Sequence, residues 1–155
     1  MRYFKLRQDE RLPNSVRLTG DYHEARNGDL SNVDSVIVSL VNSSPLNFYP
    51  DIISGQLFMV KGAVKQVFDM FLPKMQYKHC VMIDEPENKY EQYYIPVLDV
   101  FDVSEVSKAV ASGRQIFRVI SPRERAVVAS LAAVEAVLRR SPAGIKIDAI
   151  TPGGN

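Results

Sequence analysis

Short apolar runs alternate with one clearly helical stretch in the first half of the chain. Tyr3 to Arg7 alternates well enough for an opening strand, and Val33 to Val41 (VDSVIVSLV) is dense in β-branched residues, which predicts a buried strand. Between them, Gln8 to Asn32 is polar, with Pro13, Gly20 and an Asn27-Gly28 turn signal, so it reads as mobile loop and residues 1–44 as a loop-rich leading part. Leu57 to Val60 predicts a short strand. From Lys61 the period changes: Val64, Val67, Phe68 and Phe71 fall at i, i+3, i+4 and i+7, with Lys65, Gln66 and Asp69 on the other side. That is an amphipathic helix, ended by Pro73.

Met75 to Ile83 and Tyr90 to Val97 are strand-like runs separated by DEPENK, and together they predict a hairpin. Gln115 to Ile120 is a further strand. Residues 122–140 admit two parses. In one, Ser121, Pro122 and Glu124 form a capping-box pattern that starts a single helix ending at Arg140. In the other, SPRER is a turn, Ala126 to Ala129 a strand, and the helix starts at Ser130. An internal echo favours the second: at an offset of 69 residues Phe58 falls on Val127, Lys61 on Ser130, Val64 on Ala133, Val67 on Ala136, Phe68 on Val137, Pro73 on Pro142 and Tyr77 on Lys146.

Each unit then reads strand, helix, proline, strand, and each helix needs a sheet to bury its stripe. The expected fold is therefore α+β, with a mixed or largely antiparallel sheet covered by two main helices and an internal strand–helix–strand pseudo-repeat. Gly144 and IKIDAI would close the sheet. The 155 residues suit one domain over 1–150, with 151–155 a flexible tail.

Composition narrows the setting. The opening RYFKLRQDER lacks the apolar core of a signal peptide, and no apolar run approaches the roughly 18 residues of a membrane span. One cysteine, Cys80, allows no internal disulfide. These features predict a soluble, cytoplasmic protein with no membrane partner.

The net charge of +1 hides an uneven distribution. Residues 84–105 hold seven acids against Lys89, whereas residues 106–155 hold eight cations against three acids. The two regions either neutralise each other in the fold or leave an exposed acidic face.

Standard chemistry finds little footing. Asp84, Glu85 and Glu87 read as hydrated turn acids, without the split environments that separate the pKa values of a catalytic pair. The turn also has proline third and lysine sixth, where a calcium loop needs a ligand and a glycine. His79 and Cys80, as strand neighbours, point to opposite faces, so they make no nucleophile and base, and Cys80 reads as a core thiol. Two histidines at no standard ligand spacing predict no metal, and no glycine-rich loop predicts a nucleotide; no cofactor is expected. Arg139 and Arg140 read as helix-end cations, not a nucleic-acid patch.

In the second hairpin strand, one face carries Tyr93, Ile95 and Val97 and is expected to be buried, which leaves Tyr90 and Tyr94 beside the acidic tip. Tyrosine among carboxylates makes a plausible protein-binding surface. The pattern selects Asp84, Glu85, Glu87, Tyr90, Glu91 and Tyr94 as partner-contact residues. The competing expectation is an enzyme whose site is assembled from scattered residues such as His23, Asp51, Tyr94 and Arg118. A third is a subunit whose apolar strands drive homo-oligomerisation.

FYPDIISG (Phe48 to Gly55), LFMVKGAVKQVFDMF, YYIPVLDVFD and VVASLAAVEAVLRRSPAGIKI, taken in that order over residues 45–150, resemble small bacterial α+β immunity proteins of polymorphic toxin systems. The resemblance implies a non-catalytic protein that neutralises a toxin encoded beside it by binding it directly. A nuclease-type toxin carries positive charge to meet phosphates, so an acidic inhibitor would suit its surface.

Overall fold

A computed structural model describes residues 2–22, 25 and 28–150. His23, Asn27 and the expected tail 151–155 lie outside the described residues. The strands are β1 (Tyr3–Gln8), β2 (Val36–Leu40), β3 (Ile52–Ser54), β4 (Phe58–Val60), β5 (Tyr77–Asp84), β6 (Lys89–Pro96), β7 (Val100–Asp102), β8 (Ile116–Ile120), β9 (Arg125–Ser130) and β10 (Ile145–Ile150). The helices are α1 (Gly62–Phe71), α2 (Val106–Ala111) and α3 (Leu131–Leu138).

The fold is α+β, but its strands form two mixed five-stranded sheets instead of one. Their orders are β2-β5-β6-β4-β3 and β10-β1-β9-β8-β7, with β2–β5 and β7–β8 the parallel pairs. In the second sheet the opening strand is an interior one: β1 pairs antiparallel with the edge strand β10 on one side and with β9 on the other. Such a pairing spans more than 120 residues of chain and leaves no trace in local periodicity.

The 69-residue offset carries α1 onto α3, the strand before each helix onto its counterpart, and the start of β5 onto the start of β10. Ser130 caps α3, its hydroxyl accepting the Ala133 N–H at 3.2 Å, so the strand-then-helix parse of 122–140 is the one adopted. The S-x-x-E pattern closes the β8–β9 hairpin instead, where the Ser121 N–H donates to the Glu124 carbonyl at 2.8 Å. A genuine capping box stands at Asp102 and Glu105, ahead of α2. The 3-10 turn that it caps, Val103–Glu105, and α2, β3 and β7 escaped the sequence reading because each is only three to six residues long.

One apolar cluster joins both sheets and both long helices. Val64, Val67 and Phe68 of α1 and Ala133, Val134 and Val137 of α3 pack there with Phe58, Ile52, Leu6 and Val127. The helices do not each cover a sheet; they pack on each other in one layer. The far face of the first sheet is covered by the leading segment, whose Val16, Leu30 and Val33 pack on Ile37, Met59, Cys80, Met82, Tyr93 and Ile95. The polar stretch expected to be mobile thus supplies the lid of a second core. Tyr3, Phe117, Val128 and Ala109 of α2 make a third.

Candidate binding surface

β5 and β6 form the expected hairpin, in antiparallel register from Tyr77↔Pro96 to Asp84↔Lys89. Its tip is closed by the Asn88 N–H donating to the Glu85 carbonyl at 3.0 Å and the Glu87 N–H donating to Asp84 Oδ1 at 3.3 Å. Asn88 takes a positive φ of 51°, which asparagine tolerates. Successive side chains of a strand point to opposite faces, so the six residues chosen from the pattern cannot share one surface. They are divided among two faces and a tip.

Tyr90 and Tyr94 stand on the helix side. Tyr94 is not free as expected: its half-buried ring meets His79 edge-on at 5.3 Å and Tyr77 at 6.0 Å, and Lys65 Nζ lies 5.2 Å from its centroid. The Tyr77 hydroxyl donates to Asp69 Oδ1 at 2.8 Å, and Lys65 donates to Asp69 Oδ2 at 2.8 Å. Burial acts to raise the Asp69 pKa, but these two donors and the Lys65 charge outweigh it and hold the carboxyl below its ordinary value. Burial, then the Asp69 contact, pushes the Tyr77 hydroxyl far above its own. Tyr94 therefore belongs to the packing of α1 on the sheet.

Away from α1 the same face is open. Across β2, β5 and β6 it runs Val38, Val81, Gln92 and then Leu40, Ile83, Tyr90, with Val36 beside His79. Val36, Val38 and Leu40 are 54%, 60% and 52% exposed and Tyr90 72%. β2 was expected to be a buried strand. It is an edge strand, and only Ile37 and Ser39 turn inward. Nothing in VIVSL signals this, because its one polar residue, Ser39, lies on the inward face, where its hydroxyl meets that of Thr19 at 2.9 Å, and the apolar Val36, Val38 and Leu40 take the open one.

Asp84 and Glu91 lie on the opposite face. Asp84 was expected to be hydrated but is only 4% exposed. Burial raises the Tyr49 pKa, and the charges of Asp84 and Glu91 raise it further, which places all three together. Lys61 Nζ reaches Glu91 Oε2 at 3.8 Å and donates to the Tyr49 carbonyl at 3.2 Å. Tyr93 is sealed here as expected, its hydroxyl donating to the Pro50 carbonyl at 2.7 Å. Val97, expected in the core beside it, is exposed because β6 ends at Pro96. Cys80 is fully buried, and burial pushes its thiol up to about 11.

At the tip, Glu85 and Glu87 are exposed, and among the described residues neither they nor Asp84 makes an ion pair. Among the described residues, the ion pair of Arg114 with Asp99 joins the basic second half to the acidic stretch. Neutralisation is partial, and an acidic rim persists beside Tyr90.

The scattered set fares differently. Asp51 accepts the Ala143 N–H where the two sheets meet, Tyr94 packs under α1, and Arg118 lies in a separate cleft between β1, β8 and β9. Among the described residues, no group of three or more His, Cys, Asp or Glu side chains could hold a metal ion, and no helix is long and apolar enough to cross a membrane. No model of a known protein family matches the chain, and no curated protein matches it significantly.

Proposed function

We propose that this chain is a non-catalytic cytoplasmic binding protein that neutralises a cognate toxin domain by direct contact, in the manner of the immunity proteins it resembles. What supports this reading is the open face of β2, β5 and β6. Four large apolar side chains, Val36, Val38, Leu40 and Tyr90, stand exposed in adjoining rows, with the unpaired Glu85 and Glu87 at one end. Contiguous exposed apolar surface with a polar rim marks protein interaction sites, and tyrosine is among the residues that most often carry their affinity. The acidic rim selects a basic partner.

The contact set proposed is therefore Val36, Val38, Leu40, Tyr90, Glu85 and Glu87. Asp84, Glu91 and Tyr94 are occupied elsewhere. The experiment is co-expression of toxin domains encoded beside this gene with the wild type, with Val38→Lys/Tyr90→Ala, and with Glu85 and Glu87 reversed to lysine. Protection by the wild type and its loss in the first variant is the expected result. Absence of protection by the wild type in every pairing would defeat the proposal. A second copy of the chain is the rival occupant of this face, and the solution mass distinguishes it.

A further inference from the structure

β1 and β9 lie side by side only from Tyr3↔Ser130 to Leu6↔Val127. Beyond that point β1 continues along β10 to Gln8, and β9 continues along β8 to Arg125. The second sheet thus splits at this end. The turn between β3 and β4 leans on the freed edge of β1: the Gln8 N–H donates to Ser54 Oγ at 2.9 Å, and the Ser54 N–H donates to Gln8 Oε1 at 3.2 Å. Between them is a cleft of about 260 Å³.

Four cations, Lys5, Arg7, Arg118 and Arg125, line this cleft against two carboxylates, Glu10 and Glu124. Lys5 is held by Glu124 at 2.6 Å, and Arg7 by Asp148 at 2.8 Å. Arg118 is different. It is 6% exposed, it stands on the inward face of β8 opposite Val127, and a methyl on Gly28 would come within 3.0 Å of its Cδ, so its stem is closely covered. Among the described residues its guanidinium has neither a carboxylate partner nor a hydrogen bond, and burial alone depresses its pKa.

Among the described residues no fully sealed side-chain nitrogen or oxygen lacks a partner, so the head of Arg118 opens into the cleft. A guanidinium stays charged at any physiological pH, and burying one without a counter-charge is costly. Met or Leu at this place would fill the same space without that cost. An arginine kept here is explained by an anion that comes and goes.

We propose that the cleft binds a small organic anion through a terminal phosphoryl or carboxylate group, gripped by the two-pronged fork of Arg118. This site is separate from the open face of β2, β5 and β6, and does not depend on what binds there.

The test is titration of the full-length protein with inorganic phosphate and, separately, with succinate, ionic strength being matched with chloride. Thermal stability and the Arg118 Nε–H resonance are followed. Saturable stabilisation with a shift of that resonance is expected for at least one anion, and Arg118→Met is expected to weaken binding about tenfold or more. Response to phosphate alone assigns the phosphoryl class, to succinate alone the carboxylate class, and to both the shared chemistry. If Arg118→Met does not fold, Arg118→Lys, which keeps the charge and loses the fork, is expected to weaken binding by about tenfold. No response beyond chloride, or equal affinity in the folded variant, overturns the proposal.

Discussion

Ile83 and Tyr90 are direct partners across β5 and β6, on the stretch of sheet that α1 leaves uncovered, and Tyr90 is among the most exposed large side chains of the protein. A tyrosine in that position stabilises little at home. Tyr90→Ala and Val38→Lys are each expected to change the unfolding free energy by no more than about 0.5–1 kcal/mol in urea denaturation. The pair together is expected to lower affinity for the protein partner by more than about tenfold, because truncating interface anchors commonly costs about 2 kcal/mol. A large loss of stability with affinity intact would assign this face to folding.

The joint between the two sheets has little room. Gly144 sits at φ +75°, and a methyl added there would stand 2.5 Å from Pro50 Cβ and 2.8 Å from Phe48. Its carbonyl accepts the Asp9 N–H at 2.8 Å, while the neighbouring Ala143 carbonyl accepts the Asp51 N–H at 2.8 Å. Gly144→Ala is expected to cost about 1–3 kcal/mol through backbone strain, with the clash adding to it. Chemical denaturation measures this, and Gly55→Ala, where nothing stands within 4 Å, is the control.

Asp69 ties α1 to β5. Because its folded pKa is depressed, it contributes stability that is fully present above the unfolded carboxylate value of about 3.9 and is lost as pH falls through the lower folded value. Its side chain is 43% exposed, so Asp69→Asn is expected to cost no more than about 1 kcal/mol at pH 7. The gap between wild type and variant is expected to narrow below about pH 4. A gap independent of pH would show that charge plays no part.

Cys80 is fully buried, and its thiol is raised to about 11, so at pH 8 it is both protonated and out of reach. It is expected to resist a thiol reagent in the native protein and to react stoichiometrically in denaturant. Rapid native reaction would require this core to open readily.

Several elements were legible because their cause is local. Val64, Val67 and Phe68 are buried at the helical spacing that marks them, and Asp84 to Lys89 turns where acids, asparagine and proline favour a turn. The 69-residue echo resolved residues 122–140 correctly, since the two helices share one pattern of small and large apolar positions. The hairpin's two faces also follow from alternation, which places Tyr93 and Tyr94 on opposite sides of β6.

Which face is covered has no such local cause. Tyr94 is occupied because α1, more than twenty residues earlier, lays Lys65 over it, whereas Tyr90, on the same face, lies beyond that helix. Asp84 is buried on the face where Tyr49, more than thirty residues earlier, stands beside it, and one face of β2 is exposed because it lies at the sheet edge, away from α1. The split in the second sheet that isolates Arg118 depends on β1 leaving β9 after Leu6. Periodicity within the chain determined the strands, the helices and their apolar stripes, because these follow from neighbours a few residues apart. Only the tertiary structure decided the number of sheets, the open face and the unpaired arginine, because each arises where segments distant in sequence meet or fail to meet.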